Sequence, residues 1–482
     1  MPMIVSDPVA VPELVRDAPA LSATDIADAT GGSVLRRSPR PMRGAAVDSR
    51  RVRSGEVFFA LPGERTDGHA YLHDAARAGA AGLAVTRPVD AATLDRLGDV
   101  SVVRTADGLG GLHALATAWR GRFELPVVGV TGSVAKSSTK EAIATVLATR
   151  RSVLRSEGNE NNEIGVPLAV LHLGPEHDVA VLEMGMYVPG DIAVLCRIAR
   201  PSIGVVTAVR PIHLSRAGSI DAIATGKAEL VEALPADGLA VLNADDPRVL
   251  AMASRTAARV TSYGFAGEAD VRADAIAPRG LDGMAFDLIT ARGSRPVTLP
   301  RLGRHAVHNA LAAAAVALEL GLSLDEIATG LGEVWALPHR SAVIRLGDVT
   351  LIDDSYNAGP DSMLAALAAL ADLPGRHVAV LGEMAELGEL SEDAHRAVGE
   401  EAGRALDLLV AVGEAAGTLA DAALSVGLHP DALIRVRDAD AAVAALEPAL
   451  RPGDVVLVKA SRSVGLERVA EGLGDRHRGA HP

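Results

Sequence analysis

Leu125-Pro-Val-Val-Gly-Val-Thr-Gly-Ser-Val-Ala-Lys-Ser-Ser-Thr-Lys-Glu141 decides how this chain is read. Leu125–Val130 is a short apolar run suited to a buried strand. A Gly/Ser turn follows, and then an amphipathic pattern that predicts a helix to about Arg150. In a strand–loop–helix unit the loop N–H groups and the helix N-terminus converge on phosphate oxygens. Lys136 then stands where it pairs with β/γ-phosphates, and the Ser137 hydroxyl stands where it ligates Mg²⁺. The strict eight-residue P-loop expression is not met, because Val130 and Ala135 occupy two of its glycine positions. The alternative is a plain Gly-rich turn between strand and helix.

The pattern repeats outward from this unit. Val179–Met184, Ile203–Thr207 and Leu239–Leu242 are β-branched runs of the kind a buried parallel sheet uses. Residues 258–300 alternate strands with Gly/Pro turns, and His308–Leu320 predicts a buried helix. Val349–Ile352, His377–Leu381, Leu408–Val412 and Val455–Val458 predict strands between Ala-rich helices, a doubly wound α/β pattern. With 482 residues, about 150 per domain gives three domains. The expected divisions are 1–122, 123–336 and 337–482, the last near Trp335-Ala-Leu-Pro338. The tail after Asp475 is expected to be disordered.

Composition narrows the function classes. The net charge is −14 and aromatics are 2%, so basic-patch binding and base stacking are disfavoured and no nucleic-acid partner is expected. The single Cys196 leaves no intramolecular disulfide. No basic-then-apolar leader and no membrane-length apolar run is seen, so a cytoplasmic protein without membrane insertion is expected. The cations are 43 arginines and four lysines: Lys136, Lys140, Lys227 and Lys459. A surface charge survives a change to Arg, but an amine that must lose its proton to react does not. The retained lysines therefore mark candidate chemical sites, against chance retention.

Four other constellations stand out. Glu183 closes a strand at the sheet edge where ligands bind in open α/β folds; it either holds Mg²⁺ with the loop hydroxyl or caps a helix. Lys227 follows an isolated His213. A neutral Lys amine adds CO₂ to become a carbamate, an oxygen ligand for a hard cation; the alternative is a helix-surface Lys beside Glu229. Leu351–Met363 places acidic and amide residues before a Gly-Pro break, as a functional loop does. Gly158–Pro167 carries amides suited to a sugar-like ligand, or makes an ordinary turn.

Together these residues resemble the Mur ligase family over nearly the whole chain. The resemblance is carried by Val47-Asp-Ser-Arg50, Gly55–Gly63 and Asp67-Gly-His69, and by the loop, Asn159–Pro167, Glu183-Met-Gly185 and His213-Leu214. Lys227-Ala-Glu229, Asn243-Ala-Asp-Asp246 and His305–Leu311 extend it, with Asp353–Ala358, Gly382–Gly388, His395 and Lys459–Ser463 in the last third. The strings Asp353–Ala358 and Gly382–Gly388 point within the family to the branch that adds D-alanyl-D-alanine.

The resemblance implies a UDP-sugar-binding module, a central P-loop ATPase and a C-terminal Rossmann-like domain. It implies that ATP phosphorylates the carboxylate of UDP-N-acetylmuramoyl-tripeptide and that the D-Ala-D-Ala amine displaces the phosphate. Thr131, Gly132, Ser133, Lys136, Ser137, Ser138, Asn309, Arg340 and Asp354 would bind ATP. Of two Mg²⁺ ions, Ser137 and Glu183 would hold one, His213 and carbamylated Lys227 the other. Lys136, His213 and Lys227 would be catalytic. Ser49, Arg50, Asn161, Asn162 and Asn357 would bind substrate, and a monomer is implied.

Ala135, Glu160, His339 and Ala460 depart from the family pattern. Ala135 is unfavourable if the loop needs a positive φ. The alternatives are a ligase with another amine acceptor and a nucleotide-sugar-binding paralogue with impaired turnover.

Overall fold

Side-chain alternation in the last third builds a two-faced sheet. The computed structural model describes residues 20–63, 66–211, 218–333 and 337–479, with side chains to 474. Strands Val349–Asp353, Asp454–Lys459, Arg376–Gly382, Leu408–Val412 and Leu433–Val436 lie side by side in parallel, and Ala342–Leu346 pairs antiparallel at the edge. Ile352, Ala379, Leu381, Leu409, Val455 and Leu457 point to one face, where they meet helices Pro360–Ala371, Ser391–Ala405 and Gly417–Ser425. Their neighbours Leu351, Val378, Val380, Leu408, Val410, Val456 and Val458 meet Ala439–Leu446 and the last helix on the other. Period-two side-chain direction produces both cores from one set of apolar runs.

That last helix corrects the expected disordered tail: it spans Glu467–Gly479. Leu466, Val469, Ala470 and Leu473 fall on one helical stripe and are buried, which anchors the charged continuation.

The chain divides into two compact units, Met1–Val127 with Arg151–Leu182 and Val194–Arg200, and Val128–Arg150 with Glu183–Ala193 and Pro201–Pro482. In the second, Val127–Thr131, Ile203–Val206, Leu239–Asn243, Arg259–Gly264 and Val271–Pro278 run parallel in that order. The antiparallel strands Met284–Thr290 and Gly293–Leu299 complete the series. The helix Lys136–Ala148 packs against Arg304–Glu319. The latter is buried along almost its whole length, and its run of alanines lets helix and sheet approach closely. It begins a turn earlier than His308, the expected start.

In the first unit a five-stranded sheet runs Ser33–Arg36, Ser101–Arg104, Gly82–Val85, Val57–Phe59, Ala45–Ala46. Phe58, Leu83, Val85 and Val102 form its core with Leu72 and Leu97. Asp107 caps helix Gly108–Arg120 through Leu109 N and Gly110 N, and Trp119, buried in its last turn, donates to Leu173 O at 3.1 Å. Among the described residues no helix is long and apolar enough to cross a membrane.

Candidate active site

The loop after Thr131 turns in two left-handed steps. Gly132 has φ 150°, and a Cβ there would lie 1.8 Å from Thr207 Oγ1, so only glycine fits. Ala135 has φ 65° and ψ 2° as the N-cap of helix Lys136–Ala148. The unfavourable conformation is therefore adopted, at a cost of about 1–2 kcal/mol for a residue with a Cβ. Thr207 Oγ1 donates to Val134 O at 2.6 Å. Ser133 Oγ donates to Arg210 O, whose own N–H returns the bond at 2.9 Å.

The residues expected to meet phosphate and metal gather at this loop. Lys136 Nζ folds back onto Gly132 O at 2.9 Å. Ser137 Oγ donates to Glu183 Oε2 at 2.6 Å with both side chains buried, and Arg340 Nη2 donates to Ser137 Oγ at 3.2 Å. Ser138 follows in the first turn, half-buried. Thr139 Oγ1 donates to Asn309 Oδ1 at 3.2 Å, so Asn309 sits buried against the loop helix. Burial lowers the Lys136 pKa most; Glu183 opposes that shift and Arg340 adds to it.

Lys227 is 4% exposed on helix Ile220–Glu232, which excludes the helix-surface alternative. Among the described residues its ammonium makes no hydrogen bond or ion pair. Burial drives its pKa well below the usual lysine value, and nearby Lys136 lowers it further. Burial thus favours the deprotonated amine here more than in a free lysine. Glu229 is engaged elsewhere, accepting from Gly190 N and Ala193 N at the start of Asp191–Ala199. His213 lies outside the described residues.

The C-terminal side of the same unit supplies Arg340 and Asp354. Arg340 stacks on Tyr356, its guanidinium carbon 4.0 Å from the ring centroid. Asp354 accepts from Lys459 Nζ at 2.5 Å and from Ser341 N at 2.9 Å. Lys459 is buried and also donates to Asn357 O, so this fourth lysine is a structural tie. The Asn357 side chain is exposed and its Oδ1 accepts from Ala358 N.

The remaining substrate candidates belong to the first unit. Asn162 Oδ1 accepts from Ile164 N and Gly165 N, opening helix Gly165–Leu171; Asn161 adjoins it. Arg50 grips Asp48 in a bidentate pair and is 87% exposed, which holds the Asp48 carboxyl down at about 2. An open cleft is lined by Asp48, Arg51, Arg53, Glu56, Glu160 and His172. Ser49 and Arg50 do not line it. Arg51 and Arg53 do, paired with Glu160 at 2.9 Å and Glu157 at 2.8 Å. Sequence reading missed these two arginines, although they follow the quoted Val47–Arg50 string directly. It also missed Thr207 and Arg210, whose signal was their position at the C-terminal edge of Ile203–Val206.

The donors suit a magnesium nucleotide. Ser137 and Glu183 offer hard oxygens, as Mg²⁺ requires, and buried Thr131 Oγ1 has no hydrogen-bond partner among the described residues. Among the described residues no group of three or more His, Cys, Asp or Glu could hold a metal alone. Phosphate oxygens and water would complete such a shell, the usual Mg²⁺ arrangement.

The mixed α/β fold sets a nucleotide-type loop near a buried amine, and the comparisons assign this arrangement to ATP-dependent ligases. The chain belongs to the Mur ligase family: the family's catalytic-domain model matches residues 42–118, its middle domain 130–317 and its glutamate ligase domain 339–462. It is similar to UDP-N-acetylmuramoyl-tripeptide–D-alanyl-D-alanine ligases: 41% identical to that of Mycobacterium tuberculosis, over 94% of this chain and 97% of the relative. Against the Escherichia coli ligase it is 37% identical over 89% and 92%. Among solved structures, MurF from Acinetobacter baumannii superposes with TM-score 0.84 at 30% identity, covering 95% and 99%. MurF from Thermotoga maritima in complex with ADP gives 0.79 at 30%, covering 91% and 99%.

Proposed function

We propose that this protein joins D-alanyl-D-alanine to UDP-N-acetylmuramoyl-tripeptide, releasing ADP and phosphate, in peptidoglycan precursor synthesis. The observation that carries the reading is the buried Ser137–Glu183 pair beside Lys136 and the buried Lys227, in a chain 41% identical over 94% of its length to ligases of that name.

The chemistry follows from the electrophile. A carboxylate resists attack by an amine because oxide is a poor leaving group. Transfer of the ATP γ-phosphoryl group to the tripeptide carboxylate releases ADP and makes an acyl-phosphate. The D-Ala-D-Ala amine attacks the acyl carbon, phosphate leaves, and the amine proton passes to solvent or base. Two anions must approach for the first step. Lys136, at the mouth of the loop, offsets that repulsion, and the loop N–H groups orient the phosphates. Asn309 would meet the base, and Arg340 and Asp354 would approach the nucleotide from the C-terminal side.

Ser137 and Glu183 would hold one Mg²⁺, with His213 and a Lys227 carbamate holding a second. When bound, the ions supply charge neutralisation at the transferring phosphoryl group. CO₂ adds only to a deprotonated amine, and the burial of Lys227 favours that form. Guanidinium cannot substitute. Ser49, Arg50, Asn161, Asn162 and Asn357 would contact substrate. The 1–122, 123–336 and 337–482 division, a monomeric state and a cytoplasmic location complete the proposal.

The test is phosphate release from ATP with UDP-N-acetylmuramoyl-tripeptide and D-Ala-D-Ala. Release that requires all three supports the reading. Release only with another amine, or with none, transfers it to a different acceptor or to a binding protein without turnover.

A further inference from the structure

Three consecutive residues around Arg340 are each tied down by a different group. His339, at φ 60°, engages Asp353 Oδ2 through Nδ1 at 2.7 Å. The Arg340 carbonyl accepts from Arg301 Nη2 at 2.8 Å. Ser341, at φ 50°, donates its N–H to Asp354 Oδ1 at 2.9 Å. Left-handed backbone on both sides of Arg340 makes a sharp reversal, and residues with a Cβ hold such a conformation only where surrounding contacts over-determine it. Asp353 is buried, and its other oxygen accepts from Ser355 N and Oγ, so the imidazole is fastened to a fixed anchor. The His339 carbonyl accepts from Tyr356 N at 2.9 Å, and Tyr356 carries the ring on which the Arg340 guanidinium lies. One side chain and one carbonyl of His339 therefore tie the start of the reversal to the strand end and to the stacking platform.

We propose that His339 is a positioning residue for Arg340, holding its guanidinium on the Ser137 hydroxyl where the nucleotide phosphates bind. The inference rests on the nucleotide-site reading above and adds a residue that acts through Arg340. His339→Gly keeps the backbone conformation and removes the anchor. Asn at the same position tolerates left-handed backbone and offers a side-chain N–H to Asp353.

The experiment measures Mg·ADP affinity by calorimetry, and KM for ATP against KM for the UDP-linked substrate, in wild type, His339→Gly, His339→Asn, Arg340→Ala and the His339→Gly/Arg340→Ala double variant. The expected result is a loss of about tenfold in ADP affinity and ATP KM for His339→Gly, with the KM for the UDP-linked substrate unchanged. His339→Asn recovers most of that loss, and the double variant is no weaker than Arg340→Ala alone. Wild-type affinity in His339→Gly, or additive losses in the double variant, overturns the proposal. Wild type that binds Mg·ADP but releases no phosphate with the two substrates sinks the ligase reading instead, and leaves the ADP arm to decide the positioning role.

Discussion

Ser137 and Glu183 meet at 2.6 Å across 46 residues of sequence. One opens a helix and the other closes a strand, and the doubly wound order brings both to the same sheet edge. The hydroxyl and the buried carboxylate present two hard oxygens, the donor type that a divalent cation takes.

Glu183→Gln keeps the shape and can still accept from Ser137, but it removes the charge. Turnover should fall by about 10²–10³-fold, and the Mg²⁺ concentration for half-maximal rate should rise at least about tenfold. Initial rates across a magnesium titration provide the check. An unmoved magnesium curve would remove Glu183 from the metal site.

Lys227 links stability to pH. Its folded pKa lies below its unfolded value of 10.5, so between the two the unfolded chain binds more protons and stability rises with pH. The cost of the buried charge is largest below the folded pKa and vanishes above 10.5. Lys227→Met should therefore gain stability relative to wild type at neutral pH, and the gap should narrow as pH rises toward 10.5. Denaturant unfolding in CO₂-free, metal-free buffer at several pH values measures it; a pH-independent difference would refute the shift. Activity of Lys227→Met, and of Lys227→Arg, should be lost by at least about 10³-fold if the amine carries a metal-binding carbamate.

Ala135→Gly sets two effects against each other. Glycine removes about 1–2 kcal/mol of left-handed strain and adds about 0.4–1 kcal/mol of unfolded-chain entropy. Strain wins, so the variant should be about 0.5–1 kcal/mol more stable, with no loss in ATP affinity. Urea midpoints and ATP KM values check this; a destabilised variant would mean that the Cβ makes compensating contacts.

The Lys459–Asp354 pair is a buried tie at 2.5 Å. Lys459→Met strands the carboxylate and should cost about 3–5 kcal/mol. Adding Asp354→Asn, which still accepts from Ser341 N, should recover a large part of that loss. Thermal melting of the single and double variants is the measurement, and additive losses would argue against a coupled pair.

Much of this fold was written in runs that any strand-forming core demands. Val455–Val458 and Val378–Leu381 are apolar on both sides because helices cover both faces, so they stand out. Ala342–Leu346 and Leu433–Val436 lie at sheet edges with partly exposed side chains, and neither carries such a run. The meeting of Ser137 with Glu183 could be anticipated because both follow strands at one edge. Thr207 and Arg210 act on the loop partly through Val134 and Ser133 main-chain atoms, and a Thr or an Arg carries no spacing that announces such a bond. Arg51 and Arg53 carry no pattern of their own beside the family string that ends at Arg50, yet Arg50 spends its fork on Asp48. The Arg, His, Gly and Pro content after Asp475 reads as a disordered tail, whereas the buried stripe of Leu466, Val469, Ala470 and Leu473 before it sets up a helix.

The scarcity of lysine has a practical outcome for chemical labelling. Three of the four amino side chains are at most 4% exposed, and the fourth, Lys136, lies half-open in the loop. An acylating reagent that reports on surface lysines in other proteins should find one responsive side chain among them, and occupancy of the loop by a nucleotide should shield it. The adduct at Lys136, located by peptide mapping, then becomes a gauge of nucleotide saturation, obtained without engineering a probe into the chain.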